Sequence, residues 1–246
     1  MRADPPRDLC RVDSVDALAP RWERALAAVR PRAWSAHECA ELTARVLSAR
    51  DAWTEDFGGE QFTLGRAFYT HLETGRAGEY FARVREADAT VEAVLPGVQA
   101  RVRALFAEAV GGAARARRGF CGAGVHVFPA GSKVAREGGV AHWDVEGVAP
   151  LHLARRRRAA SLVLMLQPGA DGAALTLWDA LWDGRDEPSR AALAARAQTL
   201  RYAPGDLALF SSYRLHRIEP FDGDLDRVSL TLHGVEVDDG VWETWF

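Results

Sequence analysis

The sequence predicts an α+β protein in which helices from the first half buttress an antiparallel β-core, a sandwich or barrel, formed by the second half. Three observations predict it. From about Asp16 to Arg118, apolar residues recur three and four apart, the period of an amphipathic helix. After Gly119 the chain breaks into short β-rich runs with turn residues between them and no helical pattern intervening, which disfavours a parallel α/β architecture. No disordered stretch separates the two textures, so residues 1–118 read as a helical support region and 119–246 as a β-core, joined in one integrated domain.

The elements follow in order. "SVDALAPRWERALAAVRPRAW" opens with a Ser/Asp cap, and "SAHECAELTARVLSAR" repeats the helical spacing. "QFTLGRAFYTHLETGRAGEYF" also reads as helical. "DATVEAVLPGVQARVRALFAEAV" continues until Gly111-Gly112 stops it. The strands are "GVHVF", "SLVLML", "ALTLW", "LALF" and "RVSLTLHG", punctuated by "PAGSK", "PGADG", "APGD" and "FDGD". The tail "VWETWF" is expected to fold back and bury Trp242, Trp245 and Phe246 against the helical half, with a lid over a pocket as the alternative.

Composition narrows the function classes. Among 246 residues, 48% are hydrophobic, enough for a full-sized core. Thirty-one basic against 34 acidic residues leave a net charge of −3, which gives no electrostatic reason to expect nucleic acid or an anionic membrane as partner. Cys10, Cys39 and Cys121 form no C-x-x-C pair, and their odd number argues against a disulfide framework. With no apolar signal-peptide core in "MRADPPRDLC" and no membrane-length apolar run, a cytoplasmic location is expected.

The chemistry concentrates around "GGVAHWDVEG". In an extended chain residues i and i+2 share a face, so His142 and Asp144 aim an imidazole and a carboxylate at one place. With seven histidines and 34 acidic residues, about one such triplet arises by chance. A second copy, His71-Leu72-Glu73, sits in a segment read as helical, where i and i+2 diverge by about 200° around the axis. It is read as a decoy. What supports the first copy is "LRYAPGDLALFSSYRLHRIEPFDGDLDRVSLTLHG", with His216 at the end of a β-run and then Arg227 and Ser229 in R-x-S spacing. Two imidazoles and one carboxylate form the ligand set of a non-haem iron(II) site with open coordination positions. An arginine on the neighbouring strand suits a bidentate carboxylate clamp.

Residues 119–234 resemble, segment by segment, the iron(II)- and 2-oxoglutarate-dependent oxygenases, particularly their prolyl-hydroxylase-like branch. "VHVFPAGSK" is similar to the strand and turn before the first ligand, His142-Trp143-Asp144 to the H-x-D triplet, and "SLVLMLQP" to the following strand. "GAALTLW" resembles the Gly-Gly-Glu-Thr-Val-Phe segment, "APGDLALF" the Pro-x-x-Gly-Asp strand, and "LHRIEPF…DRVSLTL" the distal histidine and arginine strands. The resemblance implies a double-stranded β-helix (a cupin-like jelly roll) buttressed by the N-terminal helices. It implies Fe(II) held by His142, Asp144 and His216, and 2-oxoglutarate bound through Arg227 with Ser229 as a second donor. The implied reaction consumes dioxygen, decarboxylates 2-oxoglutarate to succinate and hydroxylates a small molecule such as an amino acid or natural-product intermediate. Two departures stand out: no tyrosine precedes the H-x-D in "REGGVAHWD", and Ala173-Ala174-Leu175 replaces Gly-Gly-Glu. Retention of Asp144 disfavours halogenation, whose enzymes carry a small residue there.

Other readings keep the fold and change the job. One is a cupin-like metal-binding sensor or isomerase without 2-oxoglutarate, which would have no use for Arg227. Another is a protein-directed prolyl hydroxylase, since substrate choice in such folds lies in loops. Repair of alkylated nucleic acid would require a second arginine six residues after Arg227, where His233 stands. His126, on the strand entering the turn, either faces the pocket or packs in the core or at an edge; His152 and His233 carry no support as ligands; and Arg155-Arg156-Arg157-Arg158 reads as a solvated loop, with an anion or substrate site as the alternative.

Overall fold

The computed structural model describes residues 7–170 and 174–246; Ala173, singled out above, and part of the "PGADG" turn lie outside them. The strands are β1 (Cys10–Arg11), β2 (Ala28–Arg30), β3 (Thr54–Asp56), β4 (Gln61–Leu64), β5 (Ala113–Ala116), β6 (Gly124–Phe128) and β7 (Ala159–Pro168). They continue as β8 (Leu175–Leu181), β9 (Ala197–Leu200), β10 (Leu207–Ser211), β11 (Arg214–Ile218), β12 (Arg227–Asp238) and β13 (Val241–Trp245). The helices are α1 (Ala36–Ser48), α2 (Phe68–Glu73), α3 (Ala77–Val94), α4 (Val98–Val110), α5 (Lys133–Glu137), α6 (Pro150–Ala154) and α7 (Arg190–Leu193).

Two sheets face each other. The larger runs β1-β2-β10-β7-β12-β6-β4-β3, with β13 added on β12 and β5 on β13; the smaller is β11-β8-β9. Apart from the parallel pairs β1/β2 and β13/β5, the pairing is antiparallel. An isolated bridge between His142 and His216 lays one more stretch of chain along β11. The result is the expected jelly-roll core: β10, β7, β12 and β6 on one side, and β9, β8, β11 and the His142 stretch on the other.

The central strand β12 shows why this sequence makes these layers. Its even-numbered residues Val228, Leu230 and Leu232 are at most 1% exposed and join the apolar core with Val102 and Phe106 of α4 and Cys39 and Val46 of α1. Burying each such aliphatic side chain contributes about 1.5–3 kcal/mol. Its odd-numbered residues Arg227, Ser229, Thr231 and His233 are polar, yet they too are buried. A period of two therefore separates a face that packs on helices from a polar face turned toward the space between the sheets.

Helix boundaries follow local chemistry. Ser35 caps α1, its hydroxyl accepting from Glu38 N at 3.2 Å. Pro96-Gly97 splits the long helical run into α3 and α4, and Gly111, at φ 69°, ends α4 in the left-handed conformation. Elsewhere the helical expectation is corrected. Within Ser14–Trp34 only a 3-10 turn at Asp16–Leu18 forms, and Ala28–Arg30 becomes β2, paired with β10. Pro20 and Pro31 interrupt any long helix there. Gln61–Leu64 likewise becomes a strand because β6 offers it a ladder. Tertiary pairing outweighs a weak local period in both places.

The Arg155–Arg158 run lies at the surface as expected, with Arg155 and Arg156 exposed, but two of its side chains are engaged. Arg156 stacks over Trp182 at 4.8 Å and donates to its carbonyl, and Arg158 lies over Trp22 and Trp242 while pairing with Glu23 and Glu236. Among the described residues, no helix is long and apolar enough to cross a membrane.

The tail folds back as expected: Trp242 packs edge-on against Trp22 and Phe106, with ring centroids 6.0 and 5.7 Å away, and Trp245 and Phe246 are buried with Phe68 of α2 and Tyr80 and Ala87 of α3 while also lining the inner pocket. Truncating Trp242 to alanine opens a void between α4 and the sheet, and we expect a loss of about 3–5 kcal/mol in urea unfolding. A loss under 1 kcal/mol would show that this contact does not join the helices to the β-core.

Candidate metal centre

His142 and His216 are brought together by their backbones before their side chains. Each residue's N–H donates to the other's carbonyl, at 2.9 and 3.0 Å. Residues paired directly across an antiparallel bridge project to the same side. Their rings accordingly sit 4.4 Å apart, centroid to centroid. Asp144 N donates to Ser212 O at 2.9 Å, which holds the next turn of chain against the same rim. Between them, Trp143 points the opposite way into an apolar cluster with Trp178 and Leu215. The alternation read from the sequence is what the structure shows.

The imidazoles are also set in one tautomer. His142 Nδ1 lies 2.8 Å from Val140 O and His216 Nδ1 lies 2.9 Å from Arg214 O. A carbonyl oxygen only accepts, so each Nδ1 carries a proton and Nε2 is the atom left to ligate a metal, His142 giving up its second proton to do so. Those Nε2 atoms are 3.5 Å from Asp144 Oδ1 and Oδ2 respectively, and the three donor atoms all lie within 4.8 Å of one another. That spacing suits a single first-row metal ion, whose bonds to nitrogen and carboxylate oxygen are about 2.0–2.2 Å.

Electrostatics agree with the geometry. Burial opposes charge on Asp144, but His216, His233 and His142 around it hold its carboxyl well below the usual range. Burial lowers His216 to about 4, so its ring is neutral. Against the cost of desolvation, the hydrogen bond and charge of Asp144 lift His142 to about 9. In the absence of a metal a proton on His142 is the counter-charge to Asp144; a cation would take its place.

A polar column leads inward from this rim. His233 Nδ1 stands 3.8 Å from Asp144 Oδ2 and 3.1 Å from Ser161 Oγ. Sequence reasoning set His233 aside, although the period of two that links Arg227 to Ser229 extends through Thr231 to His233. His126, opposite Ser229 in the ladder, turns to the same interior; burial lowers it to about 3, and its Nδ1 meets Gln61 Nε2 at 3.1 Å. Phe68, Tyr69, Glu146, Trp245 and Phe246 complete a small cavity beside Asp144 and His233. Burial and the neighbouring Asp144 and Glu73 carboxylates push Glu146 up to about 7.

Arg227 is the most informative side chain of the column. It is 3% exposed and its guanidinium lies 5.3 Å over the Phe128 ring. Nη1 donates to Ser229 Oγ at 3.2 Å, Nε has no partner, and no carboxylate among the described residues forms an ion pair with it. Asp226, the surface partner that chain proximity suggests, pairs with Arg50 instead. A guanidinium enclosed without a counter-anion is costly, and burial lowers it to about 10. Such a site fits an anionic ligand. The decoy reading of His71 also holds: on α2 its Nδ1 donates to Ala67 O and its Nε2 faces Arg66 Nη1 at 2.9 Å. His152 sits on α6 and is no part of the donor cluster.

No family model and no curated protein matches this chain. Solved structures do. An N-substituted L-amino acid dioxygenase from Burkholderia ambifaria is 20% identical, with a TM-score of 0.58 over 94% of this chain and 90% of that one. The fold is that of the iron(II)/2-oxoglutarate oxygenases. An oxidoreductase of the 2OG-Fe(II) oxygenase family from Burkholderia pseudomallei is 14% identical, with a TM-score of 0.53 over 92% and 93% of the two chains. The non-heme alpha-ketoglutarate-dependent epimerase SnoN from nogalamycin biosynthesis is 16% identical, with a TM-score of 0.58 over 90% and 85%.

The unpaired guanidinium generates an expectation that holds whatever the ligand. Arg227→Met removes a buried charge and keeps the volume, so the ligand-free protein should be as stable as the parent or more so, by up to about 3 kcal/mol in urea unfolding. A loss of more than about 1 kcal/mol would mean that the guanidinium is satisfied in the folded chain.

Proposed function

We propose that this protein is an Fe(II)/2-oxoglutarate-dependent dioxygenase that hydroxylates a small molecule. One observation carries the reading: a His-Asp-His donor set and a buried guanidinium without a counter-anion face the same interior of an oxygenase fold. A metal-binding cupin without a keto-acid accounts for the donors and leaves Arg227 unexplained. The small-molecule reading draws on the aromatic wall beside Asp144 formed by Phe68, Tyr69, Trp245 and Phe246. The fold's solved relatives add support, since one is named for N-substituted L-amino acids.

The residues divide the work. His142 and His216 offer Nε2 lone pairs that their Nδ1–H bonds to Val140 and Arg214 hold in place. Asp144 supplies the single negative charge, leaving a bound divalent ion with net positive charge to attract an acidic chelator. Arg227, steadied by Ser229, takes the far carboxylate and so sets the orientation of the keto-acid along the column. Trp245, Phe246 and Phe68 give the cavity next to Asp144 an aromatic wall. The bound iron and keto-acid supply the oxidation of a substrate C–H bond by dioxygen, with carbon dioxide and succinate as products.

Anaerobic titration with Fe(II) and 2-oxoglutarate should develop the weak visible charge-transfer band of the chelate. We expect the band in the parent, its absence in His142→Ala and His216→Ala, and a 2-oxoglutarate affinity at least about 100-fold weaker in Arg227→Met with Fe(II) binding retained. Iron binding without any band in the parent would turn the assignment to the cupin-like alternative. Succinate release then serves to screen small-molecule substrates.

A further inference from the structure

Asp144 is held from two directions, and one of them runs through a histidine that the donor cluster does not include. Its main-chain N–H donates to Ser212 O at 2.9 Å. Ser212 Oγ lies 3.0 Å from Ser161 Oγ, which lies 3.1 Å from His233 Nδ1. His233 Nδ1 is in turn 3.8 Å from Asp144 Oδ2. The path closes on itself, from the backbone of Asp144 through two hydroxyls and an imidazole back to its carboxylate.

The sheet explains the alignment. Strands β10, β7 and β12 are neighbours in it; Ser212 follows β10, Ser161 lies on β7, and His233 lies on β12 directly opposite Ser161. Both serines are fully buried and His233 is 8% exposed. On its other side His233 pairs with Trp245, whose ring centroid is 6.2 Å away at an interplanar angle of 32°. The imidazole is therefore flanked on both sides, and its only polar neighbours among the described residues are Ser161 and Asp144.

Donor directions follow from the acceptors. A carboxylate only accepts, so a protonated Nδ1 facing it is attracted and a bare lone pair is repelled. Nδ1–H then donates to Ser161 Oγ while facing Asp144 Oδ2, and the Ser161 hydroxyl donates to Ser212 Oγ. At 3.8 Å the contact with Asp144 is one of charge and dipole rather than a hydrogen bond. We infer that His233 is a positioning residue for Asp144: its Nδ1–H, braced by Ser161 and Ser212, keeps the carboxylate turned toward the Nε2 atoms of His142 and His216. The inference rests on the reading of His142, Asp144 and His216 as a metal centre.

The test follows Fe(II) affinity, by anaerobic competition with a coloured chelator, across variants that delete or move the N–H. His233→Leu should weaken Fe(II) binding roughly ten- to hundred-fold, the range found for side chains that orient metal ligands. His233→Asn sets an amide N–H near the place of Nδ1–H and should restore most of the affinity. His233→Gln reaches the place of Nε2 instead and should not. Ser161→Ala, which removes the brace, should weaken binding in the same direction. Unchanged affinity in His233→Leu would overturn the inference, and so would recovery in His233→Gln without recovery in His233→Asn. Equal losses in all three His233 variants, with lowered melting temperatures, would assign the ring to packing and overturn it too. A parent that binds Fe(II) but forms no band with 2-oxoglutarate would sink the keto-acid reading alone, and the Fe(II) affinities would still decide the role of His233. A parent that binds no Fe(II) would sink both.

Discussion

The bridge between His142 and His216 is the contact on which the site depends. Two backbone hydrogen bonds join residues far apart in the chain, and antiparallel pairing then obliges both imidazoles to the same side. Each such bond contributes only about 1 kcal/mol net. The bridge persists because its surroundings hold it: β11 is fixed by its ladder to β8, and Trp143 anchors the other partner among Trp178 and Leu215. Asp144 inherits its position from the same stretch. Without this pairing the three donor atoms have no reason to meet.

Strand β12 resolves a conflict between stability and use. One face is aliphatic and packs against α1 and α4, so it secures the strand by burial. The other is a line of polar groups enclosed by two sheets, an arrangement that a purely structural strand would avoid. Arg227 shows that cost, its Nε without an acceptor and no carboxylate paired with it among the described residues. The large apolar area around them lets the fold tolerate it. Sites that bind anions in dry interiors share this character: electrostatic attraction is strongest where water is excluded, and so is the penalty while the ligand is away.

The aromatic tail ties both halves of the molecule to the site. Trp242 packs against α4, and Trp245 and Phe246 pack with residues of α2 and α3 while lining the cavity, so the tail serves packing and the pocket wall together. Phe246 also fills the space over Gly124 and Gly65, close to the ring of His126. Movement of helices α3 and α4 would be felt through these contacts at the wall of the pocket.

Legibility in the sequence followed the range of the physics. The five β-runs, the H-x-D triplet, the R-x-S pair and the decoy at His71 all rest on a period of two or of 3.6, and local geometry alone dictates those. The turn of Ser14–Trp34 into a strand and the structural use of Arg156 and Arg158 could not be read that way, because each depends on partners distant in the chain. The order of residues by itself determined which side chains could share a face of a strand. Only the tertiary structure decided which faces meet, placing His142 beside His216 and Asp144 near His233, because closure of two sheets, and not spacing along one chain, sets distances between strands.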